Sequence, residues 1–195
     1  PLIMALPGSR RGEVPRLAER FGDALARVVA DRPDARIVLP CAAPVAELVA
    51  LQTQNWTTPP ILLTDSAEKR AAFKAADVAL AASGTVSLEL AAAGTPMVIA
   101  YDMAWVSRVI IKRMLLVDTV TLVNIVSQTR AVPEFIGADC VAADIATAVL
   151  ATLDDPTAQT DAMAVTMERL GQGGDPPGLR AARAVLAIQD QQSRP

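Results

Sequence analysis

Short apolar runs alternate with helix-period stretches along this chain, and that alternation constrains its fold more than any other feature. Leu2–Leu6, Arg36–Pro40, residues 61–64, Val78–Ala81 and Met97–Tyr101 each read as a buried strand. After the first run, Val14, Leu17, Phe21, Leu25 and Val28 recur at three- and four-residue steps. Arg16, Arg20, Asp23 and Arg27 lie off that stripe, which predicts a helix lying on a sheet. Residues 44–52, residues 66–74 (capped by Ser66), Val86–Ala93 and residues 105–116 predict further helices, and residues 120–123 a sixth, shorter strand. Strands separated by helices imply an α/β architecture: a Rossmann-like doubly wound parallel sheet with right-handed crossovers. Beyond Asp144 the pattern is helical only, over residues 145–153, 158–170 and 179–188. The chain therefore divides into a sheet domain, 1–144, and a helical C-terminal tail, 145–195, that packs on it or on a partner subunit.

Composition narrows the functional classes. The chain is 52% apolar but only 3% aromatic, so Ala, Val, Leu and Ile must build the core, as suits a parallel sheet under Ala-rich helices. The net charge of −3 supplies no basic field for nucleic acid. There is no histidine and no acidic or cysteine cluster with metal-ligand spacing, which excludes a His-based triad or zinc–His site within the chain. Residues 106–117 are apolar but interrupted by Arg108, Lys112 and Arg113, too short and too charged to span a bilayer.

Two strand-to-helix turns carry the chemistry. The first is Leu6-Pro7-Gly8-Ser9-Arg10-Arg11-Gly12-Glu13-Val14. A small-residue turn before a helix N-terminus suits an anion, because free backbone N–H groups and the positive helix end face one point. Arginine there matches phosphate oxygens bidentately. By itself this turn reads equally as an ordinary connection with exposed arginines. The second is Ser83-Gly84-Thr85, where Ser83 or Thr85 can cap the next helix and Gly84 allows close approach to the backbone. Glu89, one turn into that helix, has the chemistry to accept hydrogen bonds from both hydroxyls of a ribose. Tyr101 also falls at a strand C-terminus. In doubly wound sheets, ligands sit beyond those ends.

Five segments together resemble the lipid-A-disaccharide synthase family. They are the 6–14 turn, Ala82-Ser83-Gly84-Thr85-Val86-Ser87-Leu88-Glu89-Leu90, Pro96-Met97-Val98-Ile99-Ala100-Tyr101, Leu122-Val123-Asn124-Ile125 and Val132-Pro133-Glu134-Phe135. The resemblance runs from about residue 1 to about 188. It implies the C-terminal, donor-binding half of a two-domain glycosyltransferase-B enzyme. Such an enzyme condenses UDP-2,3-diacylglucosamine with a lipid X acceptor. It further implies Arg10, with Arg11 second, on the phosphates, Glu89 on the ribose, and Asn124 and Glu134 near the donor. No metal or other cofactor is implied, the UDP-sugar being the substrate. Asn124 reads otherwise as a turn residue after a strand, and Glu134 as the start of a helix after a proline. Two positions depart from the family's pattern: Asp102 stands where a basic residue is usual, and Gly137 near a usual glutamine.

The resemblance places the acceptor site and the catalytic base on an N-terminal half absent from these residues, so the isolated chain is expected to bind but not turn over. The chain has no obvious base of its own. It is expected in the cytoplasm, peripheral on the inner membrane face, with a homodimer through C-terminal segments as a further expectation. Trp105, Arg108 and Lys112 fall on one helical face that suits a membrane surface or, equally, a solvated helix packed on the sheet. Two other readings stay open: another UDP-GlcNAc-using enzyme (a murein-precursor transferase or a 2-epimerase), and a nucleotide-binding module without turnover.

Overall fold

The computed structural model describes residues 1–102 and 118–192. The face carrying Trp105, Arg108 and Lys112 lies outside the described residues. Six parallel strands form one sheet: β1 (Leu2–Leu6), β2 (Arg36–Pro40), β3 (Ile61–Leu63), β4 (Val78–Ala81), β5 (Met97–Tyr101) and β6 (Glu134–Ile136), in the order β3-β2-β1-β4-β5-β6. The order reverses between β1 and β4, which pair in register from Ile3↔Val78 to Leu6↔Ala81. β4 is buried along its whole length, as its Val-Ala-Leu-Ala sequence requires of a strand covered on both faces.

Helices close both faces. On one, α1 (Val14–Asp31) buries Val14, Leu17, Phe21, Leu25 and Val28 completely, the stripe its sequence spells. Each such side chain contributes about 1.5–3 kcal/mol of burial. α2 (Ala46–Thr53) lies beside it behind a short 3-10 turn. On the other face lie α3 (Ser66–Ala75) and α4 (Val86–Ala93), the latter ending at Gly94. α5 (Leu122–Ser127), α6 (Ala142–Asp154), α7 (Thr157–Arg169) and α8 (Pro177–Gln192) complete the chain.

Three sequence expectations are corrected. Residues 120–123 do not form the sixth strand; α5 begins at Leu122, and β6 is built from Glu134 to Ile136. Glu134 accordingly stands in a strand rather than at a helix start, and Asn124 in a helix rather than a turn. The apolar run at 120–123 serves a helix because Val123 packs inward, under α7, while β6 supplies the ladder to β5. Third, Ser66 does not cap α3. Asp65 does, its carboxylate accepting from the N–H groups of Ala67 (2.8 Å) and Glu68 (3.0 Å).

The helices after residue 144 differ among themselves. α6 places Ile145 and Val149 in the core under α1. α7 places Ala162 and Met163 on the opposite face, and its buried Gln159 accepts from the Met97 N–H at 2.8 Å at the start of β5. α8 instead leaves Val185 (64%), Leu186 (57%) and Ile188 (57%) exposed.

Candidate functional site

The C-terminal ends of β1, β2 and β4 enclose a crevice of about 330 Å³. It lies at the topological switch point, where a doubly wound sheet opens between diverging connections. Gly8, Ser9, Arg10 and Glu13 line it from the first connection, Pro40 and Ala42 from the second, and Ser83, Gly84 and Thr85 from the third. Sequence positions more than seventy residues apart thus meet because β1 and β4 are neighbours.

Two helices start at this crevice, and neither start is capped by a side chain. Neither Ser83 nor Thr85 caps α4, contrary to expectation. Thr85 occupies the cap position but already has helical angles (φ −64°, ψ −18°), so its hydroxyl does not turn back on the backbone. Ser87 instead donates to the Gly84 carbonyl at 3.0 Å. Among the described residues, the N–H groups of Gly8 to Gly12 and of Ser83 to Thr85 meet no backbone or side-chain acceptor. Unsatisfied donors at two helix starts make the crevice electropositive without any side chain. Gly8 has φ +112° and Gly84 φ +152°, conformations open to glycine, which fold both turns back over the strand ends.

Arg10 stands at the crevice with its side chain 80% exposed, and it donates to Glu13 Oε1 at 2.6 Å. That hydrogen bond and the neighbouring carboxylate raise the guanidinium above its usual value. Tyr101 stands half-buried at the end of β5, outside the crevice lining. Arg11 is exposed and outside the crevice lining.

The remaining expected residues lie elsewhere. Glu89 is exposed and lines a groove between α3 and α4 with Ser66 and Lys69. On α4 the groove is lined by Glu89, Ala92 and Ala93, and it shares no lining residue with the crevice. Asn124 is fully buried. Its amide donates to Thr119 Oγ1 (3.2 Å) and the Val132 carbonyl (2.9 Å), and accepts from the Val132 N–H (3.0 Å). The half-buried Glu134 carboxylate accepts from Thr119 Oγ1 (2.8 Å) and from the N–H groups of Val120 (3.1 Å) and Thr121 (2.5 Å). Together these two side chains clamp residues 119–124 onto β6.

Two residues escaped the sequence reading. Glu13 joins the crevice; its position three residues after Arg10 at a helix start was the available signal. Arg20 looked like one more surface cation. It donates to Asp102 at 2.8 Å and to the Cys140 carbonyl at 2.7 Å, tying α1 to the end of β5. Asp102, 5% exposed in its side chain, is therefore matched by a cation from another element. Gly137 opens a short 3-10 turn after β6. Among the described residues no cluster of three His, Cys, Asp or Glu side chains suits a metal ion.

A doubly wound sheet with open N–H donors and an arginine at its switch point defines a Rossmann-type α/β domain with an electropositive crevice. Comparison with known proteins makes this specific. The family model described as lipid-A-disaccharide synthetase matches residues 1–181. Lipid-A-disaccharide synthase of Ruegeria pomeroyi is 57% identical over 194 residues, covering 95% of this chain and 48% of that protein. The Rhodospirillum centenum protein of the same name is 44% identical over 190 residues, covering 96% of this chain and 47% of its own length. The chain belongs to the lipid-A-disaccharide synthetase family, and it spans about half the length of the curated relatives it matches. Among solved structures, the calicheamicin glycosyltransferase CalG4 aligns with a TM-score of 0.59 at 18% identity, over 100% of this chain and 44% of that one. A putative UDP-N-acetylglucosamine 2-epimerase from Listeria monocytogenes aligns with a TM-score of 0.56 at 19% identity, over 98% and 44%. At that distance the likeness is one of fold.

No helix among the described residues is long and apolar enough to cross a membrane.

Proposed function

We propose that this chain is the donor-binding half of a hexosyltransferase that condenses UDP-2,3-diacylglucosamine with a lipid X acceptor to form lipid A disaccharide. The observation that carries the reading is the crevice at the β1/β4 switch point, where Arg10 and two uncapped helix starts converge. A sugar leaving UDP deposits charge on the diphosphate, and fixed N–H donors and a guanidinium stabilise that charge without reorganising. In this reading the diphosphate needs no metal. The ribose lies over the first turn of α4 within reach of Glu89, so the nucleotide straddles that helix start. Among the described residues, Glu13 is the one carboxylate lining the crevice, and Arg10 already holds it. The group that takes the acceptor's proton therefore belongs outside the crevice. Lipid substrates on both sides of the reaction place the working protein at a membrane surface as a peripheral protein.

Thermal melting with UDP, CDP and ADP, beside a disaccharide-synthesis assay, tests the reading. UDP at about ten times its dissociation constant should raise the melting temperature by about 3–6 °C, selectively, with EDTA making no difference. The 195-residue chain should form no product. Equal shifts with all three nucleotides, or none with any, would overturn the assignment of the crevice, and product would overturn the placement of the base.

A further inference from the structure

We propose that Glu13 is an internal occupant of the phosphate site, which an incoming diphosphate must displace from Arg10. This rests on the reading of the crevice as a diphosphate site and adds a residue that controls its affinity. Glu13 and Arg10 form an ion pair in which the carboxylate is the sheltered partner: its side chain is 18% exposed against 80% for the arginine. The carboxylate lies over the Gly8 turn. A Cβ built on Gly8 would meet Glu13 Oε2 at 2.9 Å and Glu13 Cβ at 3.1 Å, so a glycine is what leaves it room. It therefore sits against the turn that carries the unsatisfied N–H groups, and it engages the crevice's guanidinium. Yet among the described residues its hydrogen-bond partner is Arg10, and the turn's N–H groups remain available.

Such a carboxylate does two things to an anionic ligand. It holds the guanidinium the ligand needs, and it repels the ligand's charge at short range. Its hold is one ion pair with a largely exposed arginine, a weak interaction in water, so a diphosphate that also takes several N–H donors can displace it. The carboxylate thus lowers affinity without closing the site, and it disfavours occupancy by small monoanions that cannot match the contacts of a diphosphate.

The test measures binding of UDP, inorganic pyrophosphate and uridine to the 195-residue chain by calorimetry, for the unaltered protein, Glu13→Gln, Arg10→Ala and the double variant. Glu13→Gln should tighten UDP and pyrophosphate by about two- to fivefold, the weight of an exposed ion pair, and leave uridine unchanged. In the Arg10→Ala background the same change should gain much less. Glu13→Ala provides a second variant should the glutamine perturb the turn, with melting curves to confirm the fold. Unchanged or weaker pyrophosphate binding in both Glu13 variants would overturn the proposal, since a residue that merely positions Arg10 would give that result. Selective binding of UDP by the unaltered protein decides the crevice reading separately, so that reading can stand while this one falls. A chain that binds neither UDP nor pyrophosphate overturns both.

Discussion

The turn after β1 and the clamp around β6 both carry polar residues that the sequence marked for the donor, and they spend those residues differently. At the first, Arg10 is mostly exposed, and the N–H groups of Gly8 to Gly12 have no acceptor among the described residues. At the second, Asn124 is fully buried, and the Glu134 carboxylate receives a hydroxyl and two backbone N–H groups. The difference is spare hydrogen-bonding capacity. A group whose donors and acceptors are already used within the fold stabilises the fold, whereas one with donors left over has something to offer a ligand. Residue type does not distinguish the two cases.

The comparison is sharpest at Asn124, where the largest effect is expected. Asn124→Ala removes an amide that satisfies the Val132 N–H and carbonyl and Thr119 Oγ1 in a site closed to water. Leaving buried partners unpaired should cost about 2–4 kcal/mol, read as a lowered denaturation midpoint. The fraction that remains folded should bind UDP with undiminished affinity. If Asn124→Ala instead kept its stability and lost UDP, Asn124 would belong with Arg10 on the ligand side.

Arg10→Ala should show the reverse pattern. The side chain is exposed, so the melting temperature of the free protein should hardly change. UDP should weaken by about tenfold or more, and uridine far less, because a guanidinium–phosphate contact is among the stronger hydrogen bonds. Equal losses for UDP and uridine would take Arg10 off the phosphates. Glu89→Gln should have a smaller effect of a different kind, weakening UDP more than 2′,3′-dideoxy-UDP. An identical loss for the two would leave Glu89 as no more than a solvated residue in the α3/α4 groove.

Most of the architecture was legible because apolar period and burial agree. The α1 stripe from Val14 to Val28, the first five strands and the stop at Gly94 follow from local pattern. The sixth strand was not legible. Residues 120–123 and 134–136 are both short, and which one joins the sheet depends on which pairs with β5, a fact about a neighbour far away in sequence. The crevice was partly legible: Gly8 to Arg10 and Ser83 to Thr85 were readable as turns at strand ends. Their meeting required the β1–β4 pairing. Glu13 escaped because a glutamate at a helix start reads as a favourable charge for the dipole, and Arg20 because Asp102, its partner, lies 82 positions away.

The same contrast holds between two helix starts, and there the expected effect is smallest. α3 and α4 both begin at the crevice end of the sheet. α4 has no side-chain cap, while the Asp65 carboxylate caps α3. The N–H groups of Glu68 and Ala67 hold the Asp65 carboxyl below its usual range. A carboxyl whose folded value is depressed stabilises the fold fully above its unfolded value, near 3.9, and loses that contribution as pH falls through the lower folded value. Asp65→Ala should therefore lower the melting temperature slightly at neutral pH, and the gap to the unaltered chain should stay constant down to about pH 5. Below about pH 4 the gap should narrow as Asp65 in the unaltered chain takes up its proton. UDP affinity at neutral pH should be unaffected, because the capped helix has no spare donors to lose. A fall in UDP affinity with a pH-independent melting gap would mean that Asp65 acts at the crevice rather than at α3, and the division between capped and open helix starts would not hold.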